Sequence, residues 1–333
     1  MGALLSAETV GVYLAERGVI PPGVRVAASE LGGGVSNVVL AVRAGDLHVV
    51  VKQALPRLRV ADQWLAPRER AVGEGEALRL AAELAPDSVP EVLDVDEEAC
   101  AITIAHAPEG WRNWKEALLA GEADPAIARR LGELLALWHA GTFRRRLAER
   151  FLDRAGFESL RVDPYYRTVM RRLPELSGAV ASYVERMAAT RACLVHGDYS
   201  PKNVLTGPGR LWVLDFEVAH LGDPAFDVAF MLNHLGLKSV HRPESAPAYA
   251  ACAEAFWQAY RAGVPAELAP ELPYVLGHLG CLMVARVDGK SPAEYLTESE
   301  KAAARAFGAR LLLDPPDALA DVWAVSVEPG APA

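Results

Sequence analysis

Between Ala192 and Leu214 a short strand-rich stretch interrupts a region otherwise spaced for helices, and this interruption constrains the fold more than any other part of the sequence. Leu194-Val195 and Leu211-Trp212-Val213-Leu214 are apolar runs of strand length. Between them lies His196-Gly197-Asp198-Tyr199-Ser200-Pro201-Lys202-Asn203, and Asp215-Phe216-Glu217 follows the second run. Burial of both runs among helices fixes the polar loop at its two ends. Asp198 and Asn203, five positions apart, are then held near Asp215.

The rest of the chain divides around residue 107. After a short helix predicted from Ser6 onward, Val24 to Leu31, Val35 to Val42 and Leu47 to Leu55 are dense in β-branched residues, the last two joined by a turn at Arg43-Ala44-Gly45-Asp46. A helical pattern follows from Arg68 to Leu84, then two further strands at Val89 to Val95 and Ala99 to Ala105. Pro108 and Gly110 mark a connector. Beyond it the spacing predicts helices at Asp124 to His139, Tyr165 to Thr190, Asp223 to Leu237, Ala246 to Ala262, Ala266 to Val287 and Thr297 to Leu313, with a frayed tail after Pro315. The expected architecture is α+β, with a small antiparallel-sheet lobe at residues 1–107 and a larger, mainly helical lobe at residues 108–333.

The residue types in the polar loop suit phosphoryl transfer. A carboxylate at Asp198 can receive an acceptor's hydroxyl proton, while the Asn203 amide and the Asp215 carboxylate are hard oxygen donors for magnesium on a triphosphate. ATP and Mg²⁺ are accordingly the expected cofactors. Such chemistry also requires a glycine loop and a strand lysine upstream. Gly32-Gly33-Gly34-Val35-Ser36-Asn37-Val38-Val39 fits G-x-G-x-x-N-x-V, in which glycines let the backbone approach phosphate oxygens. Lys52 ends the apolar run Val49-Val50-Val51 and needs a counter-charge, from phosphates and from Glu74 or Glu76 on the next helix. Glu74 heads an E-x-x-x-L-R run and is preferred. Backbone from Thr103 to Ala107, including Ile104 and His106, is placed to face adenine; Trp111 and Trp114 are expected to pack, His196 to order the loop, and His234, His241 and His278 to be structural.

With these motifs in view, the sequence resembles the aminoglycoside phosphotransferase and choline kinase superfamily. His196-Gly197-Asp198 with Asn203 is similar to that family's catalytic loop, and Ser200 stands where a protein kinase carries lysine, which favours a small-molecule acceptor. The resemblance implies a protein-kinase-like two-lobed fold. Val51-Lys52-Gln53-Ala54-Leu55-Pro56 with Arg59, the glycine loop containing Asn37, and Asp215-Phe216-Glu217 resemble methylthioribose kinases, which implies magnesium binding by Glu217 as well. Those kinases carry a paired arginine near the C-terminal helices; Val284-Ala285-Arg286-Val287-Asp288 offers one.

Composition sets the remaining bounds. A net charge of −9 argues against duplex nucleic acid as partner and suits a neutral or cationic small acceptor. The four cysteines form no C-x-x-C pair, no apolar run approaches membrane-spanning length, and the N-terminus lacks a signal peptide's basic region, so a cytoplasmic protein is expected. The acceptor is expected among the C-terminal helices and residues 157–167, with Tyr165, Tyr166, Arg167 and Arg286 as candidates. A nucleotide-binding scaffold without transfer activity is the competing reading. Oligomeric state leaves no trace in the sequence.

Overall fold

The structure is a computed structural model that describes residues 4–32, 36–59 and 66–325. In the N-lobe, helix α1 (Val10–Glu16) precedes β1 (Val26–Glu30), β2 (Asn37–Ala44), β3 (Leu47–Ala54), helix α2 (Arg70–Leu84), β4 (Val92–Asp96) and β5 (Ala101–Ala105). The five strands form one antiparallel sheet in the order β1-β2-β3-β5-β4. Gly45, with φ of 61°, closes the β2–β3 hairpin, a left-handed conformation that glycine adopts without steric cost. Val38, Leu40 and Val42 alternate along β2 and bury against Val49, Val51, Val10 and Leu14, so one face of the sheet is covered by α1. The other carries α2, whose Ala77, Leu78 and Ala81 join the main core.

The C-lobe begins with β6 (Arg112–Asn113), α3 (Trp114–Leu119) and α4 (Pro125–Thr142). Asp124 caps α4, its carboxylate accepting from the Ala126 amide at 2.8 Å, and Pro125 occupies the first turn. The sequence pattern predicts one helix from Tyr165 to Thr190, but the chain is broken there. A short α5 (Ala155–Phe157) runs into a π-helical segment (Glu158–Arg167) that contains Pro164, then α6 (Thr168–Arg172) and, after Leu173-Pro174, α7 (Ser177–Ala189). Proline explains both irregularities, because it donates no hydrogen bond and disfavours helical geometry in the residue before it.

Strands β7 (Cys193–Val195), β8 (Val204–Gly207), β9 (Arg210–Val213) and β10 (His220–Gly222) flank the polar loop. β10 pairs with β7, and β8 lies between β6 and β9. Helices α8 (Pro224–His241), α9 (Ala246–Gly263), α10 (Leu272–Asp288) and α11 (Glu298–Leu313) complete the lobe. α10 starts six residues later than its hydrophobic spacing suggests, because Pro273 fits only the first turn. The tail does not fray directly after Pro315: α12 (Leu319–Val325) buries Leu319, Val322 and Trp323, an i, i+3, i+4 face that continues the core. No helix among the described residues is long and apolar enough to cross a membrane. All four cysteines are free and buried.

Helices α10 and α11 cross at two glycines. A Cβ on Gly280 would sit 2.5 Å from both the Gly308 carbonyl oxygen and the Leu312 nitrogen, atoms of backbone that cannot move aside cheaply. Gly280→Ala is expected to lower stability by about 2 kcal/mol, seen as a drop of several degrees in the thermal unfolding midpoint. Gly73→Ala on α2, where nothing lies within 4 Å, is the control and should leave the midpoint unchanged or raised.

Candidate active site

The site is built around a buried ammonium. Lys52 lies on β3, between β2 and β5, with its Nζ 2.6 Å from Glu74 Oε1 and 2.6 Å from Asp215 Oδ1. Glu76 instead pairs with Arg150 at 2.8 Å, so Glu74 is the glutamate that meets Lys52. Burial works against the charged lysine, but Asp215 and Glu74 outweigh it and raise its pKa above the usual value. The two acids share a single cation unequally. Burial pushes Glu74 up to about 7, whereas Asp215, buried too but close to Lys52 and Lys202, is held well below the usual carboxylate range.

The polar loop is anchored from below by α8. Asp227, fully buried, accepts from the backbone amides of His196 at 2.7 Å and Gly197 at 2.8 Å, and from His139 Nε2 at 3.2 Å. Gly197 has φ of 78°, and a Cβ there would meet the Val218 carbonyl oxygen at 3.0 Å, so both the turn and the close approach require glycine. His196 Nδ1 accepts from the Asp198 amide at 3.1 Å and its Nε2 donates to the Leu214 carbonyl at 3.0 Å. Those partners allow only one neutral tautomer, and burial lowers the pKa of His196 accordingly. His196 therefore ties the loop to the end of β9.

Three donors converge on Asp198 Oδ2: Arg161 Nη2 at 2.9 Å, Lys202 Nζ at 2.8 Å and Asn203 Nδ2 at 2.9 Å. Oδ1 accepts no hydrogen bond from the described residues and so keeps its lone pairs uncommitted. Burial would raise the carboxyl's pKa, but Arg161 and Lys202 hold it below the ordinary value, so it is ionised at neutral pH. Arg161 also donates to the Gly197 carbonyl at 2.7 Å. Its position depends on the wide π-helical winding of residues 158–167, an irregularity of the kind often found at functional sites.

Asp215 has φ of 71°, uncommon for a residue with a side chain and sustained here by the Lys52 contact. Its Oδ2 accepts no hydrogen bond from the described residues. Asn203 turns its amide nitrogen to Asp198, which directs its amide oxygen away from that carboxylate. These two oxygens suit Mg²⁺, which prefers few protein ligands and completes its shell with phosphate and water. Among the described residues no three His, Cys, Asp or Glu side chains gather into an all-protein cage. Glu217 stands differently. Its oxygens accept from Ser36 Oγ at 2.9 Å, Asn37 Nδ2 at 2.9 Å and Arg70 Nε at 3.1 Å, which ties it to the base of the glycine loop.

Of the other expected residues, Gly32 is exposed at the rim of the loop, and Gly33 and Gly34 lie outside the described residues. Ile104 is buried in β5, and His106 is exposed at the end of the sheet, its amide bonded to the His48 carbonyl. Trp111 packs on Trp212 with ring centroids 5.1 Å apart, and Trp114 is buried. Tyr166 is enclosed in the core with its hydroxyl 2.9 Å from His278 Nδ1, and Arg167 pairs with Glu158 at 2.8 Å; neither meets Asp198. Arg286 holds the Ser291 carbonyl at 2.6 Å. Sequence reasoning missed Arg161, Lys202, Arg70, Ser36 and Asp227. Lys202 and Ser36 sat inside recognised motifs, whereas nothing in the local pattern marked the other three.

The profile of the phosphotransferase enzyme family matches residues 27–270. A methylthioribose kinase of Bacillus mycoides is 26% identical over 272 residues, 73% of this chain and 69% of its own length. A methylthioribose kinase of Yersinia pseudotuberculosis is 30% identical over 264 residues, 69% of this chain and 65% of its own. A choline/ethanolamine kinase family protein from Mesorhizobium loti shares the fold, with a TM-score of 0.56 at 18% identity over 96% of this chain and 99% of that one. The matched stretch carries the lysine strand, the polar loop and the Asp215 strand together, and the chain belongs to the phosphotransferase enzyme family.

Proposed function

We propose that the protein is a small-molecule kinase that moves the γ-phosphoryl group of ATP to a hydroxyl of a small polar acceptor. The observation that carries this reading is the convergence of Lys52, Asp198, Asn203 and Asp215, distant in sequence, around one interlobe site. The acceptor's hydroxyl hydrogen-bonds to Asp198 Oδ1 and gives up its proton there as its oxygen attacks the γ-phosphorus; the bond from that phosphorus to the bridging oxygen breaks, and ADP leaves. Lys52 clamps phosphate oxygens, and the glycine loop from Gly32 to Asn37 covers them, with adenine placed against backbone near Ile104 and His106. Asn203 and Asp215 would hold Mg²⁺ on the triphosphate, where the ion would neutralise charge that develops during transfer.

Glu217 enters this reading as a strut between lobes and not as a metal ligand, since three donors already occupy its carboxylate. Lys202, four residues after Asp198, supplies the loop cation that Ser200 cannot. Transfer to a free acceptor is favoured over a scaffold role because Asp198 is ionised and keeps one oxygen uncommitted.

Asp198→Asn is expected to lower kcat by a factor of about 10² to 10⁴ with the Kd for Mg-ATP nearly unchanged; turnover at the wild-type rate on an accepted alcohol defeats the base assignment. Asp215→Ala should weaken Mg-ATP binding by about tenfold or more, a loss of at least ~1.4 kcal/mol, in calorimetric titration. Glu217→Gln should raise the KM for ATP while leaving the free Mg²⁺ requirement unchanged at saturating ATP, and a shifted Mg²⁺ requirement would return Glu217 to the metal.

A further inference from the structure

The acceptor side of the site carries charge opposite to that of the whole chain. On α8, Phe230, His234 and Lys238 follow one another at four-residue intervals and so lie along one face of the helix. The stripe starts at the catalytic loop: Arg161, which holds Asp198 at 2.9 Å, has its guanidinium carbon 5.9 Å from the centre of the Phe230 ring. The His234 ring lies 5.4 Å from that of Phe230. Lys238 leans back one turn toward the loop, its Nζ 3.3 Å from the His234 carbonyl.

Lys238 is 1% exposed, yet among the described residues no carboxylate pairs with its ammonium, whose charged neighbours are Lys115 and Arg286. The ring of Tyr295 is 5.7 Å from that ammonium, and among the described residues neither the buried Tyr295 hydroxyl nor Nε of Arg286 has a hydrogen-bond partner. Burial, with Lys115 and Arg286 adding like charge, pushes the Lys238 amine down to about 7. An enclosed cation whose neighbours are cations and an unsatisfied hydroxyl is costly, and an anion is the ligand that relieves all of these at once. Lys238 stands two helical turns along α8 from Phe230, and its ammonium meets the His234 carbonyl and the Tyr295 ring, not Glu74 or Asp215, which hold Lys52.

We propose that Lys238, with Arg286 and Tyr295, receives an anionic group of the phosphoryl acceptor, a carboxylate or a phosphate, while the acceptor's hydroxyl lies at Asp198. The inference rests on the kinase reading above and narrows it: the acceptor is a small hydroxy acid or a phosphorylated polyol, in place of the neutral or cationic molecule that the net charge of −9 suggests.

The test compares matched acceptors with the full chain, ATP and Mg²⁺: glycerol, D-glycerate and glycerol 3-phosphate; ribose, D-ribonate and ribose 5-phosphate; and choline and kanamycin as cations. An anionic member of a set should exceed its neutral counterpart at least tenfold in kcat/KM, the carboxylate and phosphate arms showing which anion is used. Lys238→Met, close in shape and free of the buried charge, should raise the KM for that anion at least tenfold, keep the KM for ATP within twofold, and leave the thermal midpoint unchanged or raised. Preference for neutral or cationic acceptors, or an unaltered KM in the variant, overturns the proposal. A second readout needs no turnover. With Mg-ADP present, D-glycerate or glycerol 3-phosphate should raise the thermal midpoint of the wild type above a chloride control, and not that of Lys238→Met; equal shifts, or none in the wild type, also overturn it. If no alcohol is phosphorylated at all, the kinase reading fails, while the thermal comparison still decides whether Lys238 takes an anion.

Discussion

The ammonium of Lys52 is the point on which the two lobes agree. A buried cation is tolerated only where opposite charge reaches it, and here that charge comes from two directions, Glu74 on the N-lobe helix and Asp215 behind the C-lobe hairpin. Separating the lobes would strip one carboxylate from the cation and expose the strained backbone of Asp215 to relaxation. A second tie runs beside it, from Glu217 to Ser36, Asn37 and Arg70. Together they join the base of the glycine loop, at Ser36 and Asn37, and the proposed metal strand into one electrostatic unit.

Beneath that unit, the polar loop is held mostly through its backbone. Asp227 fixes two successive amides, His196 joins the loop to β9, and Arg161 grips the Gly197 carbonyl. Side chains that do chemistry are thereby carried by main chain that cannot drift, which is the condition for an attack geometry set to within a fraction of an ångström. The same arrangement divides charge across the site. Acidic groups gather where the proposal seats the metal and nucleotide, and the cations Arg161 and Lys238 lie along α8 on the side of Asp198. A global charge of −9 therefore says little about the acceptor's local field.

Likeness of fold reaches further than likeness of substrate. The chain overlays almost the whole of a choline/ethanolamine kinase family protein at 18% identity, which speaks for the architecture alone. The methylthioribose kinases match more closely in sequence, at 26% and 30% identity. In the proposed acceptor region Arg286 has no arginine beside it in sequence, and Lys238 on α8 meets no carboxylate among the described residues.

Most of the strands and helices could be read from periodicity, since apolar alternation in β2 and β3 and the capped start of α4 are local properties. The π-helical winding could not, because its apolar spacing is the same as that of a continuous helix; the break at Pro174 did carry a local signal, the proline itself, which the apolar spacing running across it outweighed. The docking of α12 escaped for a related reason: its proline-rich setting suggested fraying, while its apolar face gains stability only from a partner surface distant in sequence. The sequence by itself determined the set of residues proposed for catalysis, because Asp198, Asn203, Asp215 and Lys52 sit in short motifs whose spacing is read directly from the chain. Tertiary structure alone decided that Arg161 would reach Asp198, that Glu217 would be taken by Asn37 and Arg70, and that Lys238 would be enclosed without an acid. Each of these depends on which side chains meet across elements far apart in the chain, and a one-dimensional pattern holds no measure of that distance.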